Sequence, residues 1–407
     1  MDNKKQKETG MKPILFRIFE IITIVILITA CGGKIAASGQ PPIESTQLKP
    51  SSEPPTAEVK QPQGVFVDTG DGYGLTYCNL QGQAVSVFKT PGLTNPRSGE
   101  VIIAGSVPPG PVQVPIVYIE QNPEPGLKVN VNDQISPLIL SRNIYQIAGA
   151  PGLPVLAFSR VDDQDNGRTY KLFVGTLENI AKAPAIVSLF SEKFLYVYNP
   201  LAVDAEGSNI KGVWYTRTPW GVGGDGFISN HGLYFYNYAT GEIKEYLDAN
   251  KNLQGLSPDH SLAVVMDKSI PEKPVFNVVD IKTGKITTIA LDPGSDNGGG
   301  GGEFSPDNRY LAWMESNGTT MSDTPDFHSR LRVALLGAAP SLVVDLTDEA
   351  SSKMLGYPEI QSAGAAGWLD NQTLLVNTTN EELKKLDVIS GKFTPFCKGS
   401  FVTFAYQ

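Results

Sequence analysis

The side chains of this 407-residue chain that could do chemistry are few: three histidines, three cysteines and the carboxylates of some glycine-rich stretches. His231, His260 and His328 lie far apart, with no H-E-x-x-H and no cysteine pair at ligand spacing, so the pattern does not describe a zinc centre. Asp162-x-Gln164-x-Asn166-Gly167 opens like a calcium loop, but Phe173 stands where the bidentate glutamate belongs, and the segment reads as a hairpin turn. The glycine run 298–302 lacks the Lys-Ser/Thr of a phosphate loop, and there is no G-x-S-x-G nucleophile motif. No cofactor is expected. What remains is a set of aromatic, acidic and histidine residues in polar segments: Trp220, Asp225, His231, Asp323, Asp326 and His328. They form the candidate binding face. Asp225, Glu315, Asp323 and Asp326 are the carboxylates on which an acid–base enzyme would draw, if two of them differed in pKa at one pocket.

The address is carried by the first thirty residues. Lys4, Lys5, Lys7, Lys12 and Arg17 precede the apolar run Ile21–Ile28, which Glu20 keeps shorter than the ~20 residues of a membrane span. Either Met1 or Met11 serves as the start. The run ends in Ile28-Thr-Ala-Cys-Gly-Gly33, which resembles the lipobox of bacterial lipoproteins. The resemblance implies a signal peptide at 1–30 and a diacylglyceryl and fatty-acyl (palmitate-type) anchor on Cys31. Residues 31–63 are rich in Pro, Ser, Gln, Glu and Lys, and cannot bury enough apolar surface to offset chain entropy. They read as a disordered tether between the lipid and a body at 64–407. Without residues 1–30 the chain carries 28 Lys and Arg against 39 Asp and Glu, a formal charge of −11. An acidic chain without a basic run argues against nucleic acid as a partner.

The body must position any site, and its pattern is that of short strands. Gly and Pro together make 71 of 407 residues, about 17% against the ~12% of average usage, which favours many turns over a helical bundle. Apolar triplets recur at Val65–Val67, Ile116–Tyr118, Leu156–Phe158, Val213–Tyr215, Ala263–Val265, Leu311–Trp313 and Leu374–Val376. Their middle residues are 51, 40, 57, 50, 48 and 63 apart, which brackets the ~40–50 residues of a four-stranded propeller blade. Phe304-Ser-Pro-Asp-Asn-Arg-Tyr-Leu-Ala-Trp313, Leu256-Ser-Pro-Asp-His-Ser-Leu-Ala-Val264 and Gly367-Trp-Leu-Asp-Asn-Gln-Thr-Leu-Leu-Val376 share one wording. That wording resembles the repeat of WD40-like propellers of the TolB and prolyl oligopeptidase type. In these repeats Ser-Pro-Asp-x makes a tight turn before a strand that packs between blades. His260 falls in such a turn and reads as structural.

The expected fold is therefore an all-β propeller of four-stranded blades, seven by the triplets, with six or eight as alternatives; a two-sheet sandwich array is the rival architecture. Closure would use 401–406 as the inner strand of a first blade built from 65–89. With Cys31 lipidated, Cys78 and Cys397 remain as an even pair in an exported protein, and closure would bring them together as a disulfide. The loops 162–167, 218–226, 267–272 and 315–328, and the blade connection 294–303, are expected on one face. The functional expectation is a membrane-anchored, non-catalytic binding or scaffold module of the cell envelope. Its long-loop face would take a protein, peptide or glycan. The alternative is an envelope glycosidase or lyase. Replacing Cys31→Ser is expected to abolish incorporation of labelled fatty acid and to leave an uncleaved precursor on gels. Retention of label in that variant would put the anchor elsewhere.

Overall fold

The computed structural model describes residues 57–407 except 71–73, 94–95, 97–98, 108–113, 122–123, 194–195, 220–229, 271–272, 293–297, 318–327, 347–364 and 379–381. Its described strands make seven blades. Blade 1 contains β1 (Pro62–Asp68), β2 (Gly74–Asn79) and β3 (Ala84–Lys89). Blade 2 follows with β4 (Val101–Ile103), β5 (Ile116–Glu120), β6 (Gly126–Val131) and β7 (Gln134–Leu140). Blade 3 is β8 (Ile144–Gly149), β9 (Val155–Gln164), β10 (Gly167–Thr176) and β11 (Ala185–Ser191). In blade 4, β12 (Tyr196–Glu206), β13 (Asn209–Pro219) and β14 (Asn230–Asn237) are completed by the long β15 (Ile243–Leu256).

The far end of β15 pairs with β16 (Leu262–Asp267) and so also serves as inner strand of blade 5, beside β17 (Val275–Asp280) and β18 (Ile286–Ala290). Blades 4 and 5 thereby form one seven-stranded sheet, whereas the other five blades are separate four-stranded sheets. Blade 6 has β19 (Gly298–Phe304), β20 (Tyr310–Asn317), β21 (His328–Leu335) and β22 (Ser341–Leu346). Blade 7 has β23 (Ala365–Trp368), β24 (Thr373–Thr378), β25 (Glu382–Asp387) and β26 (Lys392–Lys398). Finally β27 (Ser400–Tyr406) returns to pair antiparallel with β1, Val65 opposite Phe404, as the inner strand of blade 1.

Each apolar triplet of the sequence is the second strand of its blade: β1, β5, β9, β13, β16, β20 and β24. These strands are buried on both faces because side chains alternate and each face meets a different neighbour. Phe66 packs towards blade 2 while Val65 and Val67 pack towards blade 7. Trp214 faces blade 5 and its neighbours Val213 and Tyr215 face blade 3. Leu311 and Trp313 face blade 5, with Ala312 and Met314 turned to blade 7. Seven apolar clusters of this kind fill the seven seams. Burial of each such side chain stabilises by about 1.5–3 kcal/mol, so the seams carry most of the fold.

The repeated wording makes turns as expected. Asp259 Oδ1 accepts the Ser257 hydroxyl at 2.7 Å and the Ser261 amide at 3.0 Å, while Ser257 Oγ accepts the Leu262 amide at 2.8 Å. Ser305 and Asp307 repeat the arrangement, and the fourth turn residues, His260 and Asn308, both sit at positive φ. One reading needs correction. The segment 294–303 was expected as a connection between blades, but Gly298–Phe304 is the inner strand of blade 6. Glycine is a poor strand former, yet this strand lies where blades converge. A Cβ on Gly302 would come within 2.5 Å of Val264, and one on Gly255 within 2.0 Å of the Gly302 carbonyl oxygen. Crowding at the axis, rather than propensity, selects the residue here.

Cys78 of β2 and Cys397 of β26 lie at disulfide distance, with Cα atoms 6.5 Å apart, across the seam where the last blade meets the first. Both side chains are buried. We expect mature protein to show no free thiol by mass spectrometry without reductant. The pair spans 319 residues, for which the chain-entropy model gives up to about 6 kcal/mol, so Cys78→Ser with Cys397→Ser should lower the denaturant midpoint strongly.

Candidate functional site

In every blade the connection from second to third strand emerges on the same face as the connection from one blade to the next. The candidate residues sort themselves against this loop face. His231 is the second residue of β14, opposite Arg217 on β13, and its Nδ1 lies 3.2 Å from the Ala249 carbonyl. His328 begins β21 opposite Asn317. Both histidines thus start third strands at the loop face, but in blades 4 and 6, with blade 5 between them. Trp220, Asp225, Asp323 and Asp326 lie outside the described residues, as does Cys31. The segment Asp162–Gly167, read as a hairpin turn and counted among the loops of this face, is the tight β9–β10 hairpin, shorter than the long loops it was grouped with, and Asp162 is held by Arg160 at 2.7 Å and Lys171 at 2.6 Å. Beside His231, the Arg217 guanidinium is sandwiched between the rings of Tyr196 and Tyr234, 4.9 and 4.4 Å from their centroids.

Several buried charges serve the seams. Glu315 is fully buried: Oε1 accepts the Trp313 indole at 2.8 Å and lies 3.3 Å from Arg332, while Oε2 accepts the Asp292 amide at 3.0 Å. Arg332 also reaches Asp292 at 3.3 Å and Asp345 at 3.2 Å. A carboxylate so engaged is a structural ion, which removes Glu315 from the acid–base candidates. Asp204 plays a matching part between blades 4 and 5. It accepts the Trp214 indole at 3.0 Å and lies 3.0 Å from Nδ1 of His260, whose structural role the turn had implied. In blade 2, Lys128 lies 3.1 Å from both Glu120 and Glu124, with Lys128 and Glu120 buried.

The inner strands enclose a cavity of about 1240 Å³. All seven contribute to its wall: β27, β4, β8, β12, β15, β19 and β23. Glu120, Arg142, Thr218 and Asn230 border it at the loop face, where it opens. Asn199 lies just inside the mouth, and deeper, Gln146, Gln254, Thr403, Tyr406 and Glu303 supply polar groups. Glu303 faces cavity water but is ringed by protein, and the desolvation pushes its carboxyl up to about 8. Burial and then the charge of Glu303 raise the Tyr406 phenol above its ordinary value. None of these cavity residues was singled out by sequence. They come one or two at a time from strands about fifty residues apart, and only the ring assembles them.

The opposite end is crossed by the chain itself. The Ala57 amide donates to the Asp259 carbonyl in the lower turn of blade 5 at 3.1 Å, and five residues later Pro62 opens β1 against Tyr406. Lys60 Nζ lies beside the lower turn of blade 3, 3.3 Å from where a Cβ on Gly152 would stand. Blades 1 and 5 are not neighbours, and five residues reach at most about 18 Å, so residues 57–61 form a chord across the lower opening.

No family model matches the chain, and no curated protein matches it. Similar solved structures share the fold. TolB from Acinetobacter baumannii aligns at 15% identity and TM-score 0.38, over 84% of this chain and 81% of TolB. A prolyl endopeptidase aligns at 11% identity and TM-score 0.50, over 83% of this chain, which spans only half of that enzyme. An oligogalacturonate lyase from Vibrio parahaemolyticus aligns at 10% identity and TM-score 0.49, over 84% and 89% of the two chains. At such identities the likeness concerns architecture alone.

Replacing Glu315→Ala strips Arg332 of a buried counter-ion and Trp313 of an acceptor. We expect a loss of about 3–5 kcal/mol in denaturant unfolding. A catalytic role would instead show as lost turnover with unchanged stability.

Proposed function

We propose that the chain is a lipid-anchored binding module of a bacterial cell envelope, whose partner enters the central cavity from the loop face. The cavity carries the reading: it is large, carries several polar side chains on its wall, and opens on the face where the blade connections lie. The first described residue, Ala57, lies at the end of the ring opposite the mouth. The acidic charge of the exported part and the paired Cys78 and Cys397 agree with an extracytoplasmic setting. Among the described residues no helix is long and apolar enough to cross a membrane.

The glycosidase or lyase alternative has lost Glu315 to a structural network, and Asp225, Asp323 and Asp326 would have to carry it. The deciding experiment is crosslinking and pull-down of the tethered protein from native membranes, beside a variant with a blocked cavity. Asn199 lines the cavity and its amide bonds Asn230 at 3.4 Å, so Asn199→Trp should fill the upper passage. We expect a captured partner that the variant loses while circular dichroism and Tm stay near the parent's. Turnover on a polysaccharide panel, with no partner recovered, would overturn the binding reading.

A further inference from the structure

We propose that the far end of the cavity is a site for an alkylammonium group, presented as a lysine side chain on an extended peptide inserted from the loop face. The inference rests on the cavity being the binding site and adds what the ligand must carry. Glu303 is the last residue but one of β19, at the end of the cavity remote from the mouth. Its side chain faces the cavity, and among the described residues no lysine or arginine forms an ion pair with it. Arg142 stands at the mouth, and Lys60 lies beneath blade 3 near Gly152. Two residues above Glu303, Gly301 is exposed at φ +66°, and a Cβ there would meet nothing within 4 Å. The wall over the carboxylate is therefore bare, which leaves room for a ligand to descend along it.

Aromatic rings line another side. Phe401, Phe404 and Tyr406 of β27 all border the cavity, with centroids 4.8 Å apart for the first pair and 6.2 Å for the second. Tyr406 is close enough to Glu303 for its phenol to feel the carboxylate's charge. Phe404 and Tyr406, on the cavity wall near a carboxylate that has no ion pair among the described residues, favour a cation with an apolar stem: the stem lies against the aromatic wall and the ammonium meets the charge. Depth selects the carrier. From Gly298 to Glu303 the strand, bulged after Gly300, spans the four steps from Ser316 to Ala312 opposite, about 13 Å at ~3.3 Å per residue, farther than one side chain reaches from a folded surface. An extended segment inserts that far. An arriving ammonium would also favour ionisation of a carboxyl that burial holds largely neutral at neutral pH.

The test uses the full chain and two acetylated pentapeptide amides, Gly-Gly-Lys-Gly-Gly and its isostere with norleucine in place of lysine, followed by titration calorimetry. The lysine peptide should bind saturably and at least about tenfold more tightly than the norleucine peptide. Glu303→Gln should erase the difference, and Glu303→Asp should keep most of it, which separates lost charge from lost folding. Affinity of the lysine peptide should rise from about pH 5 to pH 8 as the carboxyl ionises, since lysine stays charged throughout. Equal binding of the two peptides, or a lysine preference that survives Glu303→Gln, overturns the ammonium site. If Asn199→Trp abolishes that equal binding, the cavity reading stands without it. Absence of binding by either peptide also overturns the proposal, and glucosamine binding in their place would assign the floor to an amino sugar. The membrane pull-down then decides the broader reading on its own.

Discussion

Everything in this fold depends on strands buried on both faces. The second strand of each blade sits between two seams, and its alternate side chains belong to different apolar clusters. A single blade would leave both faces of that strand in water, an open row would leave one bare at each end, and only a closed ring covers all fourteen faces. Closure is therefore a condition of stability rather than an ornament, and the chain secures it twice. β27 completes the blade begun by β1, and Cys78 and Cys397 meet across the neighbouring seam. Lys385 adds a hydrogen bond of 2.6 Å from blade 7 to the Leu80 carbonyl of blade 1.

The same geometry explains where polar groups are tolerated. Seams are dry, so a charge within one must bring its own partners, as Glu315 does with Trp313, Arg332 and the Asp292 amide. Asp204 serves Trp214 and His260 in a second seam, joining a strand of blade 4 to a turn of blade 5. Towards the axis the constraint changes from dryness to crowding. Strands converge until glycines such as Gly255 and Gly302 stand back to back. What they leave between them is the cavity, the one region among the described residues where all seven blades share a surface.

Function follows from that division. Residues that look chemical in the sequence divide between seams and rim: His260 and Glu315 are held by partners within seams, and Asp162 by Arg160 and Lys171 of its own blade. The rim group is spread around the ring, with His231 and His328 in blades separated by a third. The inner wall has the opposite character. Gln146, Asn199, Glu303 and Tyr406 are unremarkable where they stand in the chain, yet they converge on a single space.

Sequence alone settled the strand character, the repeat and its ring closure, because a doubly buried strand must be apolar at consecutive positions. Seven such triplets announce seven blades. The Ser-Pro-Asp turns were equally legible, since a hydroxyl and a carboxylate capping a turn act over five residues. The third-to-fourth turns show the limit of such reading. Thr-Gly marks the turns at Ala239–Glu242 and Lys282–Lys285, whereas the like turn at Ile389–Gly391, with Asp387 accepting two amides, lacks the threonine. The inner strand Gly298–Phe304 was hidden because its residue type is chosen by atoms of other blades. The cavity was hidden for a related reason: only the ring, by bringing seven distant strands to one axis, decides which side chains face one another.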